Sequence, residues 1–424
     1  MAVTRVIVFS VISIFAGLGC SSDKDPGEGI CSGVDYTQYL AFQFFVSGST
    51  EPMGDYQGLN PFVSLAKMED FFSTVHSKIG TSAVKCRRPA IVIGPVALDY
   101  SNADITKLID QSFALAKQYD IAVGFHIDDG MFWATRTDLW KNPENIEWLD
   151  WRGTPNTSRY VDWVPLRLAP MMCVNAHDVR VAVRNFMSNI ALSIKSNLDQ
   201  LTADKKEYLY AGTIVGWEPS LDTDRDSKMP SGYHALANKG FGLTHLPGDI
   251  DQERVKILRE YIEFMARPLV EAGLPVSKTY THIAFISRKD YDYAASVNPD
   301  FAKKSYSEVN NFSPPEVAMG KNYTPGFSTY PQEGVLNEIH KLLNNSAWAS
   351  SEGTNLIPGL PPMASGYGME SYLARHYNYG CRQVTIFAFH LGGDPFTDAL
   401  NYASEGPDAI AAYRKFLSGA TLKE

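Results

Sequence analysis

Tyr208-Leu-Tyr-Ala-Gly-Thr-Ile-Val-Gly-Trp-Glu218 is an apolar run that ends in a carboxylic acid, and Ala347-Trp-Ala-Ser-Ser-Glu352 has the same character further along the chain. Each run predicts a buried β-strand that presents one carboxylate at its C-terminal end. An unpaired carboxylate at the edge of an apolar core costs free energy, so packing alone does not account for either glutamate. The two runs therefore predict strands of one sheet and a site that contains both carboxylates.

Strand-like runs alternate with helix-like runs along the rest of the chain. Eight strands are predicted, at Leu40–Val46, Ala90–Pro95, Ile121–His126, Tyr208–Trp217, Pro275–Phe285, Gly326–Tyr330, Ala347–Ser351 and Gln383–Phe389. Amphipathic helical spacing lies between them, over Ile105–Gln118, Val179–Leu198 and Gln252–Ala272. This alternation predicts an α/β fold, a (β/α)8 TIM barrel with enlarged βα loops. A doubly wound open sheet is the alternative, although the glycine-rich phosphate turn with which it normally begins is missing after the first strand.

Three long loops follow predicted strands, at Asp128–Ala169, Pro219–Gly248 and Ser287–Pro325. Loops of this length in a compact domain are usually functional, and in a TIM barrel the loops after the strands form the active-site face. We therefore expect the site at the C-terminal ends of the strands.

The N-terminus is typical of a secretory signal, with Arg5, an apolar run over Val6–Phe15 and small residues up to Cys20. Leu-Gly before Cys20 resembles a bacterial lipobox, in which the cysteine becomes the lipidated N-terminus; an ordinary signal peptide is the alternative. Residues 21–34 are polar and predict a flexible tether, which leaves 35–424 as one catalytic domain. We expect an exported protein, lipid-anchored to a bacterial outer membrane, on its periplasmic side or at the cell surface.

The net charge narrows the class of partner, and the cysteine positions limit the disulfides that can form. The chain of 424 residues has a formal net charge of −9 and no basic cluster, which disfavours nucleic acid. Export permits disulfides. Cys31, Cys86 and Cys381 each lie shortly before a predicted strand, so any disulfide is expected to join two of them.

Paired carboxyl groups on different strands are the requirement of glycosidic bond cleavage, in which one group is a proton donor and the other is ionised. Glu218 on the fourth predicted strand and Glu352 on the seventh resemble the catalytic pair of clan A, the retaining (β/α)8 glycoside hydrolases. The resemblance covers residues of about 35 to 420 and implies that Glu218 is the acid/base and Glu352 the nucleophile. The clan's usual Asn-Glu is Trp217-Glu218 here, so its contact with the sugar 2-hydroxyl is not carried over.

The surroundings of the two glutamates favour the same roles. The ring of Trp217 is expected to raise the pKa of Glu218, and hydroxyl and backbone donors around Glu352 are expected to keep it ionised. Three alternatives stay open: an inverting glycosidase that uses Glu218 with Asp128 or Asp129, a glycan-binding lipoprotein without catalysis, and a rim ion pair for one glutamate.

Other residues at or near predicted strand ends are candidates for contact with a carbohydrate substrate: His126, Asp128, Asp129, Trp133, Trp217, Tyr280, His282, Tyr330 and His390, with Asp394 beyond the last. Tyr280 and His282 alternate on one strand and are expected to share a face. His126, Asp128 and Asp129 also resemble part of a metal site, but no second cluster at ligand spacing accompanies them, so neither metal nor cofactor is predicted. The tryptophans of the first long loop form either a local apolar core or a platform for sugar rings: Trp140, Trp148, Trp151 and Trp163.

Overall fold

A computed structural model describes residues 36–46, 65–97, 101–130, 133, 136–159, 169–221, 223–299, 301–302, 306–308, 312–356, 367–387, 389–390 and 403–424. Its strands are β1 (Gln38–Phe45), β2 (Arg87–Ala97), β3 (Ala122–Asp128), β4 (Tyr210–Val215), β5 (Thr279–Thr281), β6 (Gly326–Thr329), β7 (Trp348–Gly353) and β8 (Cys381–Ile386). Each predicted strand corresponds to one of them.

The strands form one parallel sheet in the order β5-β4-β3-β2-β1-β8-β7-β6. Between the two ends of that order, parallel bridges join Tyr280 to Thr324 and Ile283 to Phe327. The sheet therefore closes into the predicted (β/α)8 TIM barrel, and the open-sheet alternative is wrong.

The α-helices are α1 (Leu65–Ile79), α2 (Asn102–Tyr119), α3 (Thr137–Trp140), α4 (His177–Ala203), α5 (Tyr233–Ala237), α6 (Ile250–Glu271), α7 (Arg288–Val297), α8 (Glu333–Leu343), α9 (Met369–Tyr377) and α10 (Pro407–Leu417). Short 3-10 helices lie at Pro143–Asn145, Glu207–Leu209, Val276–Lys278, Tyr306–Glu308 and Pro315–Ala318. The three helices predicted from periodicity are confirmed as α2, α4 and α6. Across the described part of the chain, no helix combines the length and apolar character needed to cross a membrane.

Two predicted strands are longer than the structure allows. The fourth begins at Tyr210 because a 3-10 helix occupies residues 207–209, and the fifth shrinks to Thr279–Thr281 behind the 3-10 helix Val276–Lys278. Beyond Thr281 the described chain pairs with β6 through one bridge, between Ile283 and Phe327. Glu218, which follows β4, and His282, which follows β5, therefore lie on irregular backbone beyond the strand ends.

The barrel interior is filled differently from the layer outside it. A small interior cluster contains mostly small side chains, among them Ala41, Ala90, Ala122 and Ala349. The larger cluster lies between strands and helices and contains the bulkier residues. The interior cluster fills the lower part of the barrel, and polar residues occupy the interior nearer the C-terminal ends of the strands.

The N-terminal predictions lie outside the described residues, and they stay predictions: the signal sequence, Cys20, the tether and Cys31. Cys86 is disulfide-bonded, whereas Cys381 is a buried free thiol. A disulfide that includes Cys381 is therefore wrong, and a bond between Cys31 and Cys86 stays a prediction.

Candidate active site

Glu218 lies in a turn, three residues beyond the end of β4 at Val215. Gly216 has φ +80° and Glu218 has φ +55°, and a Cβ at Gly216 would lie 2.6 Å from the Pro219 ring. The Glu218 N–H donates to the His282 carbonyl oxygen at 3.1 Å. The prediction that Glu218 forms the tip of the strand is therefore wrong in detail, because the left-handed turn is what presents the carboxylate.

Asp129 holds the same turn from β3's side. Its Oδ1 accepts the Trp217 N–H at 3.0 Å, and burial raises the pKa of its carboxyl group. Asp128 is also buried, and its Oδ1 accepts the Gly130 N–H at 2.7 Å. Both predicted sugar-binding carboxylates thus bind the backbone of the loops that surround the site.

Glu352 is aimed into the barrel by a bulge in β7. The register with β6 pairs Phe327 with Ser350 but Ser328 with Glu352, so Ser351 is an extra residue. Its hydroxyl donates to the Thr281 carbonyl oxygen at 2.5 Å. Strict alternation from the interior residue Ala349 would turn Glu352 outward, and the bulge reverses this, as bulges beside active sites often do.

The two glutamates meet at the C-terminal opening of the barrel. Three atoms lie within 4.8 Å of one another: one carboxylate oxygen of each glutamate and a ring nitrogen of His282. Glu352 is 5% exposed, and its Oε1 accepts the Tyr330 hydroxyl at 3.0 Å. Among the described residues its Oε2 has no hydrogen-bond partner.

The pKa of Glu352 is raised well above its usual range, first by burial and then by the charge of Glu218, against the hydrogen bond from Tyr330. The expectation that hydroxyl and backbone donors keep Glu352 ionised is therefore wrong: one hydroxyl favours the ionised form, but burial and the neighbouring carboxylate outweigh it. Two carboxyl groups this close hold one proton between them over a broad pH range.

A chain of polar groups leads from Glu218 into the barrel. The Ser328 hydroxyl donates to Glu218 Oε1 at 2.7 Å, and His282 Nε2 lies 2.6 Å from Ser328 Oγ. His282 Nδ1 lies 3.1 Å from His126 Nε2. Burial lowers the pKa of His282 to about 3 and that of His126 well below its usual value, so both imidazoles are neutral at pH 7. With no exposed surface, these histidines support Glu218 from behind, and the prediction that they contact sugar directly is wrong.

Aromatic rings form the wall beside the carboxyl pair. Trp217 stacks on His126 with 4.0 Å between centroids and 3° between planes. Phe45 lies 6.3 Å from Trp217 and 5.4 Å from Phe387, centroid to centroid. All three rings are half-buried, so they reach the opening. The predicted effect of the Trp217 ring on the pKa of Glu218 stays a prediction.

Three predicted sugar contacts lie elsewhere. Trp133 is 1% exposed in the outer core, and its indole N–H donates to the Pro170 carbonyl oxygen at 2.6 Å. Tyr280 shares the interior face with His282, as alternation predicts, but it is buried in the interior cluster. His390 points to Glu405 at 3.5 Å with its side chain 55% exposed. These three predictions are wrong because packing and loop geometry take the side chains away; Asp394 lies outside the described residues.

The described tryptophans of the first long loop pack against neighbouring rings or against the main core. Trp148 stacks on His234 with centroids 4.0 Å apart, and Trp151 packs edge-on against Tyr233 at 5.0 Å. Trp140 packs against the main core, and Trp163 lies outside the described residues.

Sequence reasoning missed Ser328, Phe45 and Phe387. Ser328 precedes Tyr330 by two residues on one predicted strand, so alternation alone would have placed both on the same face of the sheet. Phe45 lies near the C-terminal end of the first predicted strand, and Phe387 lies near the C-terminal end of the last. The signal was therefore present in each case, in the position of the residue and not in its type.

A cation is a second possible occupant of the opening. Within the described residues, Glu218, His282 and Glu352 offer three donor atoms close enough for one metal ion, a set that differs from the predicted alternative at His126, Asp128 and Asp129. Both nitrogens of His282 are already engaged, by His126 and Ser328. A metal ion would have to displace one of these hydrogen bonds.

Comparison with known proteins finds no matching family model and no matching curated protein. Solved structures with a similar fold include the glycoside hydrolase domain of PgaB (BpsB) from Bordetella bronchiseptica, 12% identical over 90% of this chain and 99% of that chain, with a TM-score of 0.43. A family GH5 xyloglucan-specific β-1,4-glucanase from a ruminal metagenomic library is 10% identical over 91% of this chain and 95% of that chain, with a TM-score of 0.46. A sugar phosphate isomerase/epimerase from Parabacteroides distasonis is 7% identical over 88% and 96%, with a TM-score of 0.38. Identities this low show similarity of fold and do not assign a function.

Proposed function

We propose that this protein is a retaining glycoside hydrolase that cleaves an oligo- or polysaccharide, with Glu218 as acid/base and Glu352 as nucleophile. The observation that supports this most is the approach of the two carboxylates, whose oxygens lie within 4.8 Å. Retaining enzymes separate their carboxyl groups by about 5–5.5 Å, whereas inverting enzymes leave about 6.5–9.5 Å for a water molecule. The short separation favours retention.

The protonation state follows from the pairing. When Glu218 holds the shared proton, the charge that raises the pKa of Glu352 is removed, and the Tyr330 hydroxyl stabilises the Glu352 anion. This arrangement matches the requirement of the first step, a neutral acid beside an ionised nucleophile.

The reaction proceeds in two steps. Glu218 donates its proton to the leaving glycosidic oxygen while Glu352 Oε2, which no described residue binds, attacks the anomeric carbon and forms a glycosyl ester. The Glu218 carboxylate then takes a proton from water, whose oxygen attacks the anomeric carbon and releases Glu352. Each step inverts the anomeric carbon, so the product keeps the original configuration.

The half-buried aromatic wall of Trp217, Phe45 and Phe387 supports a carbohydrate substrate, because its faces suit the C–H surface of sugar rings. Tyr330 contributes a hydroxyl beside the nucleophile. Asp129 binds the turn that holds Glu218, which disfavours it as the water-activating base of an inverting enzyme.

Metal-dependent sugar chemistry is the second candidate, and the three donor atoms of Glu218, His282 and Glu352 favour it. The two candidates differ in their response to a chelator. Turnover by a glycosidase of the proposed kind survives dialysis against EDTA, whereas metal-dependent turnover is lost and returns with added divalent cation.

The deciding experiment is a screen of the purified protein against a panel of polysaccharides, followed by proton NMR of the first product formed. We expect hydrolysis with the anomeric configuration retained. Initial formation of the opposite anomer would favour the inverting alternative, and glycan binding without hydrolysis would favour the non-catalytic one.

We further propose that the protein is exported and anchored through a lipid on Cys20.

A further inference from the structure

The polar chain behind Glu218 has a defined hydrogen-bond direction. Ser328 has a single hydroxyl hydrogen, and its oxygen lies 2.7 Å from Glu218 Oε1 and 2.6 Å from His282 Nε2. Glu218 Oε1, when it carries no proton, can only accept, so Ser328 donates to it and His282 Nε2–H donates to Ser328. His282 Nδ1 is then an acceptor, and His126 Nε2–H, 3.1 Å away, is its donor.

The inner end of the chain is closed to solvent. Burial and the neighbouring His282 lower the pKa of His126, whereas a backbone hydrogen bond with Gly216 favours its protonated form. Ser328 is 8% exposed and both histidines are fully buried, so bulk water does not compete for these bonds.

We propose that Ser328, oriented by His282 and His126, is a positioning residue for the acid/base: it occupies Oε1 of Glu218 and thereby confines the catalytic proton to Oε2. The inference rests on the proposed function of Glu218. A carboxyl group free to rotate or to carry its proton on either oxygen would present the proton to the leaving group only part of the time. A fixed acceptor oxygen removes that loss.

Leaving-group dependence separates this role from a general structural one. A glycoside with a poor leaving group needs the acid for its cleavage. The leaving group of a 2,4-dinitrophenyl glycoside, 2,4-dinitrophenolate, departs without protonation. A defect confined to the proton on Glu218 therefore appears in kcat/KM for the first substrate and not for the second, since kcat/KM reports formation of the glycosyl-enzyme.

The experiment compares Ser328→Ala with Ser328→Thr, which keeps the hydroxyl, on phenyl and 2,4-dinitrophenyl glycosides of the sugar that the polysaccharide screen identifies. We expect Ser328→Ala to lose roughly 10- to 100-fold in kcat/KM on the first substrate, the effect of one hydrogen bond to a charged or charging group. It should retain near-normal kcat/KM on the second, and Ser328→Thr should recover most of the loss.

Equal losses on both glycosides, or no loss on either, would overturn this inference while leaving the glycosidase intact. Thermal unfolding of both variants identifies a loss that comes from misfolding. If Ser328→Ala misfolds, Ser328→Cys, which has a similar size and a much weaker donor, takes its place in the same comparison, and the same outcomes decide. Wild-type protein that hydrolyses neither glycoside would overturn the proposed function and this inference with it.

Discussion

At the scale of single residues, a hydroxyl group donates to each catalytic candidate, and the two hydroxyls differ in what orients them. Glu218 Oε1 accepts a hydroxyl that two histidines orient, whereas Glu352 has one hydroxyl donor and an oxygen that no described residue binds. The free oxygen suits a nucleophile, because a hydrogen-bond donor would stabilise its lone pairs and so weaken its attack on carbon. Removal of either carboxyl group therefore tests the proposed roles directly.

Glu218→Gln and Glu352→Gln should each leave the fold intact, since the substitution is nearly isosteric. Each should lower turnover on the polysaccharide substrate by at least about 10³-fold, because each carboxyl group acts in the transition state. Turnover is measured by reducing-end release, with circular dichroism as the control for folding. Near-normal activity in both variants would contradict the assignment.

Tyr330→Phe should move the acidic limb of the pH–activity profile to higher pH. The tyrosine hydroxyl donates to Glu352 and lowers the pKa of that carboxyl group, which burial and Glu218 raise. The phenylalanine lacks this donor, so Glu352 stays protonated, and inactive, up to a higher pH. The kcat/KM profiles of wild type and variant measure the shift. An unchanged acidic limb would show that Tyr330 does not stabilise the ionised nucleophile.

At the scale of elements, loops and strand irregularities orient the site. The turn after β4 depends on Asp129, and the two long loops after β3 and β4 are joined through buried Glu147. Glu147 Oε2 accepts backbone N–H groups of Trp148, His234 and Ala235 at 3.3, 3.1 and 3.4 Å. Asp129 and Glu147 thus both accept hydrogen bonds from backbone N–H groups. Substitution of either residue is therefore expected to change the geometry of the loops or the stability of the fold.

Asp129→Asn separates positioning from catalysis. The asparagine carbonyl oxygen can still accept the Trp217 N–H, so turnover should stay within about tenfold of wild type if Asp129 positions the turn. Asp129→Ala, which has no acceptor, should lose far more. Assays of both variants on the same polysaccharide decide the point: an asparagine variant as inactive as the alanine variant would indicate a catalytic carboxylate and favour the inverting mechanism.

Glu147 should make stability fall as pH rises. Burial raises the pKa of its carboxyl group from 4.5 to about 7. Between these values the folded state binds more protons than the unfolded state, so the free energy of unfolding decreases with rising pH. Relative to Glu147→Gln, which does not titrate, wild type should lose on the order of 2–3 kcal/mol over this interval. Urea unfolding at a series of pH values measures the difference, and parallel curves would contradict it.

At the scale of the whole molecule, we propose separate roles for the barrel and for the N-terminal segment. The described residues form a closed barrel with its site at one end, and the proposed anchor at Cys20 precedes a polar tether. A tether of this kind lets the barrel reach substrate while the lipid stays in the membrane.

Cys20→Ala should release the protein from the membrane fraction, because the proposed lipid is attached to that thiol. Immunoblots of sedimented membranes and supernatant measure the distribution in the bacterium that produces it. Polysaccharide hydrolysis by the released protein serves as the control for folding. A variant that still sediments with membranes would place the anchor elsewhere.

The eight alternating units, the barrel and the two glutamates could be predicted from the sequence, because apolar periodicity and strand alternation are local properties of the chain. Alternation also placed Tyr280 and His282 on one face correctly. Position at or near a strand end was a poorer guide to Trp133 and His390, whose chemistry suited sugar but whose surroundings are a packed core and the Glu405 side chain.

Only the tertiary structure decided how the site is assembled. The bulge at Ser351 turns Glu352 inward, and it exists only in the register between β6 and β7. The contact of Ser328 with Glu218 and His282 joins residues 46 or more positions apart. The pKa of Glu352 depends on burial and on a carboxylate from another strand. Register, burial and through-space charge arise when distant segments pair, so they are properties of the folded barrel and are absent from any one stretch of sequence.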